Sequence, residues 1–424
     1  MLLLQYIIEN KEKTIQGLKK KHFQKAEEYV EKIIQLDKKR RELIIQSNDL
    51  KNKINSLSRE IGELFKSGKK EQAEELKQQS IQHKNHESAI DALLQQTENE
   101  LQALLIQLPN LPHPSVPEGI SATDNVVVFQ HGQLPHLPSD ALCHWDLAIR
   151  YHLIDFETGV KLTGAGFPVY IGKGAKLQRA LINFFLDKAT QHGYTEIEPP
   201  ILVNENSGFG TCQLPDKDKQ MYFVNEDKLY LIPTAEVPIT NIYRDVILKE
   251  EELPIKNCGY TPCFRREAGS YGKEVRGLNR LHQFDKVEIV QIVHPDKSYE
   301  ALEEMREYVA HLLKSLELPF RTVKLCGGDM SFASALTYDM EVYSAAQQRW
   351  LEVSSISNFE TFQTNRLKCR FKDKNGKTRL AHSLNGSALA LPRIVAALLE
   401  NNQSKKGIKI PAALVPYTGF EWIE

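Results

Sequence analysis

Residues 262–290 read PCFRREAGSYGKEVRGLNRLHQFDKVEIV. Two β-forming runs stand on either side of a loop rich in glycine and basic side chains, the pattern of two strands joined by a long connection. Similar short runs surround it: KLYLI at 228–232, RTVKLC at 321–326, TYDMEVYS at 337–344 and RWLEVSSIS at 349–357. Helical patterns are fewer, at 177–192, 298–316 and 394–401. Strands in succession with few helices between them predict an α+β domain built on an antiparallel sheet flanked by helices, rather than a βαβ nucleotide fold. A phosphate-binding loop of the form GxxxxGK[ST] does not occur, and the glycine-rich stretch at 160–176 lacks dinucleotide-binding spacing. A nucleotide would therefore have to be held by side-chain clamps on the sheet.

The chain before this region has a different character. Up to Leu108 it contains no proline and little glycine. Leucine recurs at Leu36, Leu43, Leu50, Leu57 and Leu64, with Ile33, Ile54 and Ile61 in the companion row, which Arg40 and Ser47 interrupt. This is the seam of a coiled coil. After a break at Ser67-Gly68-Lys69, a second stripe runs through Ala73, Leu76, Ile90, Leu94, Leu101, Leu104 and Leu108, weakened by Ser80, His83 and Glu87. Two long helices joined by a tight turn fold back on each other, which predicts an antiparallel two-helix arm of about 55 Å. The prolines of residues 109–117 (PNLPHPSVP) predict the end of the helix and a stiff linker. The boundary falls there, giving an arm at 1–110 and a second domain at 111–424.

Composition excludes little. The chain has 424 residues, 54 Lys and Arg against 55 Asp and Glu, and a formal net charge of -1, so any nucleic-acid contact must come from local basic surface. The first arm helix offers such a surface at Lys19-Lys20-Lys21, Lys25, Lys38-Lys39-Arg40-Arg41, Lys51 and Lys53, with acids interspersed. A heptad hairpin alone is more often a spacer or oligomerisation element. The six scattered cysteines form no CxxC pair, so no structural zinc is expected and reduced thiols in a cytoplasm are the default. The apolar start, MLLLQYIIEN, lacks a basic n-region and a cleavage site and reads as the opening of a folded element. No run is long enough to span a membrane.

Phe264-Arg265-Arg266-Glu267 followed by His282-Gln283-Phe284 resembles motif 2 of the class II aminoacyl-tRNA synthetases, and the fuller string resembles the seryl-tRNA synthetase family. LIPTAEVP (231–238) is similar to that family's serine-binding loop, LEVSSISN (351–358) to its metal and ATP segment, and LNGSALALPR (384–393) to motif 3. Glu198-Pro199-Pro200 resembles the end of motif 1, whose proline, taken as Pro200, helps form a homodimer interface. The resemblance runs over nearly the whole chain, arm included. It departs from many class II enzymes in motif 3, where Ala388 and Ala390 fill small positions and Leu391-Pro392 precedes Arg393.

The resemblance implies activation of L-serine with ATP, helped by Mg²⁺, and transfer to the serine tRNA. The family also serves selenocysteine tRNA where that tRNA exists. Arg265, Glu352 and Arg393 are the implied catalytic residues: Arg265 on the α-phosphate, Arg393 on the γ-phosphate, and Glu352 with Ser355 on Mg²⁺. Phe284 would stack under adenine and Glu267 would read its amino edge. Arg266, Leu281, His282, Gln283, Val353 and Ser354 complete the implied ATP site. Thr234, Ala235, Glu236, Arg265, Glu288, Asn385 and Ser387 form the implied serine site, with Glu236 on the ammonium and Glu288 on the hydroxyl. The loop at 268–280 would touch the acceptor end of tRNA, and the arm would grip it.

The residues agree with this chemistry, because an anionic carboxylate can approach an anionic phosphate only where guanidinium groups and a divalent cation offset the repulsion. Plainer readings stand beside it. Glu288 could be a salt-bridged strand residue, His282 a satisfied core histidine, and one of the neighbouring Arg265 and Arg266 must point away from any site if the strand continues. A ligase acting on a carrier protein would lack the long arm, and a non-catalytic scaffold would have lost Arg265, Glu267, Glu352 or Arg393.

Overall fold

The computed structural model describes residues 1–216, 219–267 and 276–424. They form two units, Met1–Pro109 and Asn110–Glu424. In the first, helices α1 (Ala26–Lys66) and α2 (Lys70–Gln107) have 41 and 38 residues, about 60 Å each at 1.5 Å per residue. Gly68 makes the turn between them in a left-handed conformation, φ +77°, which glycine adopts without steric penalty. The helices are antiparallel: Tyr29 bonds Gln107, Lys32 pairs with Glu100, and Ser47 and Lys51 both reach Asp91. Leu36, Leu43, Leu50, Ile33 and Ile54 are buried along the seam, whereas Leu57, Ile61 and Leu64 near the turn are only half-buried. The two polar interruptions are accommodated differently. Ser47 is buried and donates to Asp91 Oδ1 at 2.7 Å, while Arg40 swings to the buried Asp37 at 2.8 Å. Helices Leu4–Glu9 and Lys11–Lys20 precede α1, and Lys11 pairs with Glu31 at 3.0 Å.

The second unit is organised by an eight-stranded sheet. Its strands are β1 (Val126–His131), β2 (Thr195–Glu196), β3 (Ile255–Phe264), β4 (Gln283–Val293), β5 (Phe320–Lys324), β6 (Leu336–Ser344), β7 (Arg349–Glu360) and β8 (His382–Ala390). The spatial order is β1-β5-β6-β7-β8-β4-β3-β2. Every pairing is antiparallel except that of the short edge strand β2 with β3. The motif 2 strands, β3 and β4, are paired neighbours as the opening stretch predicts.

Alternation divides the sheet into two faces. On one face Val287, Ile289, Ile356 and Leu384 join a core with helices α3 (Gly172–Gln191), α4 (Ser298–Ser315) and α5 (Leu391–Asn401). The apolar stripes of these helices, such as Leu177, Leu181 and Phe184 on α3 and Leu302, Met305 and Val309 on α4, are fully buried there. The opposite face presents Phe284, Lys286 and Glu288, alternate residues of β4. Register carries that face to Ser387 opposite Glu288, and to Asn385 opposite both Val290 and Ser357.

The expected linker differs from the structure. Residues 110–113 are stitched to the second unit: Asn110 N–H donates to Phe332 O, its side chain donates to Ala333 O and Phe359 O at 2.9 Å, and His113 N–H donates to Ala335 O. Proline removes donors from such a stretch, but the remaining backbone groups and one buried asparagine suffice to fix it. The helix expected from Ile394 starts at Leu391, with Pro392 in its first turn, where its missing N–H is harmless.

Candidate functional site

Helix Glu236–Asn241 begins where the backbone leaves Thr234, and Glu236 N–H donates to Thr234 Oγ1 at 3.2 Å. This places the Glu236 carboxylate in the interior, where Gln363 Nε2 donates to its Oε1 at 2.7 Å and Ser383 in turn donates to Gln363 at 2.8 Å. Burial pushes Glu236 up to about 7, the charge of Glu288 adds to the rise, and hydrogen bonds from Gln363 and Asn385 with the nearby Lys286 oppose it. Glu288 receives Lys286 Nζ at 2.6 Å and Ser387 Oγ at 3.3 Å on the same Oε2. Lys286 is 7% exposed and Glu288 2%. Thr234, Ala235, Glu236, Glu288, Asn385 and Ser387 are all buried, with Thr234 bonded to Glu236, Ser387 to Glu288, and Glu288 and Asn385 close to Glu236. Two carboxylates there face one ammonium, which leaves room for one further positive charge.

Beyond the pocket, Phe264 N–H donates to Ile232 O, and the chain continues directly into Arg265. The Arg265 guanidinium lies 5.2 Å from the centre of the Phe284 ring, within cation–π range. Arg266 goes elsewhere: it is exposed and sits over Tyr222 at 5.6 Å. Glu267, in the left-handed region at φ 47°, pairs with Arg280 at 2.7 Å. His282 is held on several sides, bonded to Tyr222 through Nδ1 at 2.8 Å, stacked on Phe167, and donating its backbone N–H to Gly166 O. Leu281 is buried in the core and Gln283 is exposed. Residues 268–275 of the expected tRNA-contacting loop lie outside the described residues.

The third group lies on β6 and β7. Glu352 and Ser355 are three apart, so a regular strand would send them to opposite faces. The register shows why they do not diverge: Glu341 faces Glu352, Met340 faces Ser354, and Asp339 faces Ser355, leaving Val353 as an extra residue in a bulge. Asp339, Glu341, Glu352 and Ser355 therefore share one face, and Val353 packs into the core. Burial, then the Glu352 charge, pushes the Asp339 carboxyl well above its usual range. Asp339 Oδ1 has no hydrogen-bond partner among the described residues. Arg393, in the first turn of α5, donates to Glu352 O at 2.7 Å and lies 3.7 Å from its carboxylate. Ser354 donates to Ser387 O at 2.6 Å, joining this group to the buried pocket.

Across β3, β4, β8 and β7, spacings of about 4.8 Å span roughly 14 Å, the scale of an extended small-molecule site. Sequence reading missed Lys286, Gln363 and Asp339. Lys286 and Asp339 each stand two places from a polar residue on the same strand face, a signal that could have found them; Gln363 lies on a separate helix and gives no such signal.

Comparisons with known proteins agree with this arrangement. Residues 1–112 match the seryl-tRNA synthetase N-terminal domain, and residues 222–402 match the tRNA synthetase class II core domain (G, H, P, S and T). A serine–tRNA ligase of Salinibacter ruber is 51% identical over 92% of this chain and 92% of its own length. One from Chlorobium luteolum is 45% identical over 100% of this chain and 99% of its own. The crystal structure of seryl-tRNA synthetase from Pyrococcus horikoshii, complexed with ATP, superposes with a TM-score of 0.94 at 33% identity, covering 100% of this chain and 99% of that one. The chain belongs to the seryl-tRNA synthetase family and is a class II serine–tRNA ligase, with the long helical arm and antiparallel sheet of that family.

Proposed function

We propose that the buried pocket selects serine and that the adjoining face of β3, β4 and β7 holds ATP, so that the two substrates meet at Arg265. The observation that carries this reading is the charge count around Glu236. Its carboxylate lies beside the Lys286–Glu288 pair, and a substrate ammonium supplies the missing positive charge. Asn385, Ser387 and Thr234 offer hydroxyl and amide groups to a small polar side chain, with Glu288 as acceptor. Buried groups committed to a hydroxyl reject an analogue that lacks it by about 10⁴–10⁵.

Arg265, placed on Phe284, holds the α-phosphate while the ring stacks adenine. Arg393 takes the γ-phosphate. The substrate carboxylate attacks the α-phosphorus and pyrophosphate leaves; the terminal hydroxyl of tRNA then attacks the seryl carbonyl and AMP leaves. These guanidinium groups fix geometry and offset anionic charge, and no side chain acts as nucleophile. Glu352, Ser355 and Asp339 form an oxygen-only donor set that fits Mg²⁺, and the partnerless Oδ1 of Asp339 is accounted for by a cation at that place. Bound Mg²⁺ would supply charge neutralisation for the phosphates. Two further assignments follow from family membership: the arm as the tRNA grip, and a homodimer through the motif 1 region. Ile201 and Leu202, next to Pro200, are 37% and 41% exposed, which supports an association surface there.

ATP–pyrophosphate exchange measured with all twenty amino acids tests the proposal. Exchange is expected with serine and not with alanine or threonine; exchange best supported by another amino acid would overturn it. The same assay reads Glu236 against pH. Its carboxyl titrates at about 7, so acidification protonates it and removes the partner of the substrate ammonium. The serine KM is expected to rise as pH falls below about 7, the ATP KM to change less, and Glu236→Gln to flatten the serine profile. A serine KM constant between pH 8 and 6, values chosen about one unit either side of that titration, would refute the assignment.

A further inference from the structure

The short helix His144–Arg150 holds the C-terminal root of the motif 2 loop through contacts that converge on His144. Its ring is completely buried, and Nε2 accepts the backbone N–H of Leu278 at 2.8 Å. Because Nε2 must present a lone pair, the ring proton sits on Nδ1, which donates to Glu400 Oε1 at 2.7 Å. Glu400 also accepts the His144 backbone N–H, and it receives Ser344 Oγ in a short contact. On the next residue, the Trp145 ring lies 4.6 Å from the Arg276 guanidinium. Between the two contacts, Gly277 takes φ +65°; an added Cβ would stand 2.3 Å from His144 Nε2 and 3.0 Å from Trp145 Cε3.

The chain of bonds continues to the nucleotide side. Gln347 donates to Glu400 at 3.0 Å, Asn279 donates to Gln347 at 3.0 Å, and Arg393 Nε donates to Asn279 O at 3.1 Å. Glu400 and Arg393 lie at opposite ends of α5. One buried polar network therefore fixes residues 276–279 and orients Arg393, although His144 itself touches neither pocket.

We infer that His144 is a positioning residue for ATP: by accepting Leu278 N–H in a single tautomer, it sets residues 276–279 so that Asn279 O aims Arg393 at the phosphates. This rests on the reading of Arg393 given above. A buried hydrogen-bonded network rigidifies what it holds. Here Asn279 Oδ1 alone of the network's buried side-chain atoms lacks a partner among the described residues, and removing the His144 acceptor would add the Leu278 N–H to the unsatisfied groups. Serine binding depends on Glu236, Glu288 and Ser387, which meet this network only at one remove, where Ser354 bonds Ser387 O beside the Arg393–Glu352 contact.

The test uses serine-dependent exchange in the full-length chain, with His144→Ala, His144→Gln and Gly277→Ala. A glutamine carbonyl can stand where Nε2 stands and accept the same N–H. His144→Ala is expected to raise the ATP KM about tenfold, the value of one buried hydrogen bond, with the serine KM within about twofold, and His144→Gln to recover most of the loss. An unchanged ATP KM overturns the inference. So do equal rises in both KM values without recovery by glutamine, which is the signature of general loosening. Should His144→Ala fail to fold, Gly277→Ala opens the same contact from the other side and is judged by the same two KM values. If the parent protein shows no serine-dependent exchange, the functional reading fails instead, a result distinct from every variant outcome.

Discussion

Lys286→Met is expected to destabilise the sheet unit by about 3–5 kcal/mol, because it leaves a buried carboxylate without its partner. Lys286 and Glu288 approach to 2.6 Å at 7% and 2% exposure, with the second buried carboxylate, Glu236, nearby. Without the ammonium, two acidic groups face each other in low dielectric, and one must take up a proton near neutral pH. Serine recognition should therefore fail along with stability. All three tryptophans, Trp145, Trp350 and Trp422, lie in the second unit, so urea unfolding followed by tryptophan fluorescence reads that unit without a signal from the arm. A companion variant carrying both Lys286→Met and Glu288→Leu separates the two effects. Replacing both partners by apolar groups should restore most of the stability, while serine-dependent exchange stays lost. A loss below about 1 kcal/mol in the single variant would place the pair among weak surface bridges and remove it from the argument.

The reason Lys286 escaped the sequence reading shows where legibility ended. The alternation of Phe284, Lys286 and Glu288 along β4 was readable, and it correctly puts three polar or aromatic groups on one face. What alternation cannot say is whether two residues of one face meet each other or a ligand; that depends on the depth of burial, which the helix at Glu236 and the segment at Gln363 decide from far along the chain. Glu352 and Ser355 illustrate the opposite case. Their spacing argues against a shared site, and only family resemblance paired them; the bulge at Val353 is the physical reason they coincide. The arm was legible because its signal is local and repeated: Leu36, Leu43 and Leu50 report a seam that a facing helix then buries. The prolines after it were read as a stiff linker, with no docking onto the sheet unit, because nothing local announces that Asn110 bonds to Ala333 and Phe359. Nothing local singled out His144, since its partners Leu278 and Glu400 are distant in sequence.

Replacing residues 33–104 by a short turn is expected to leave serine-dependent exchange within about twofold of the parent, while lowering the rate of tRNA charging by on the order of 10³ or more, the scale set by losing several phosphate contacts. Exchange should survive because every group assigned to serine and ATP lies in Asn110–Glu424, and α1 and α2 bury their seam against each other. Charging should fail because α1 leaves Lys38, Lys39, Arg41 and Lys53 exposed on its surface, at a net protein charge of only -1 that gives no general attraction for RNA. Attraction of that local kind is screened by salt. In the parent, charging at subsaturating tRNA should therefore fall steeply as salt rises, whereas exchange, which involves no polyanion, should respond weakly. A spacer or oligomerisation arm predicts neither result. If the shortened chain charged tRNA as the parent does, or if the parent's charging were insensitive to salt, the arm would have to be assigned to assembly, and tRNA would have to be gripped by the sheet unit alone.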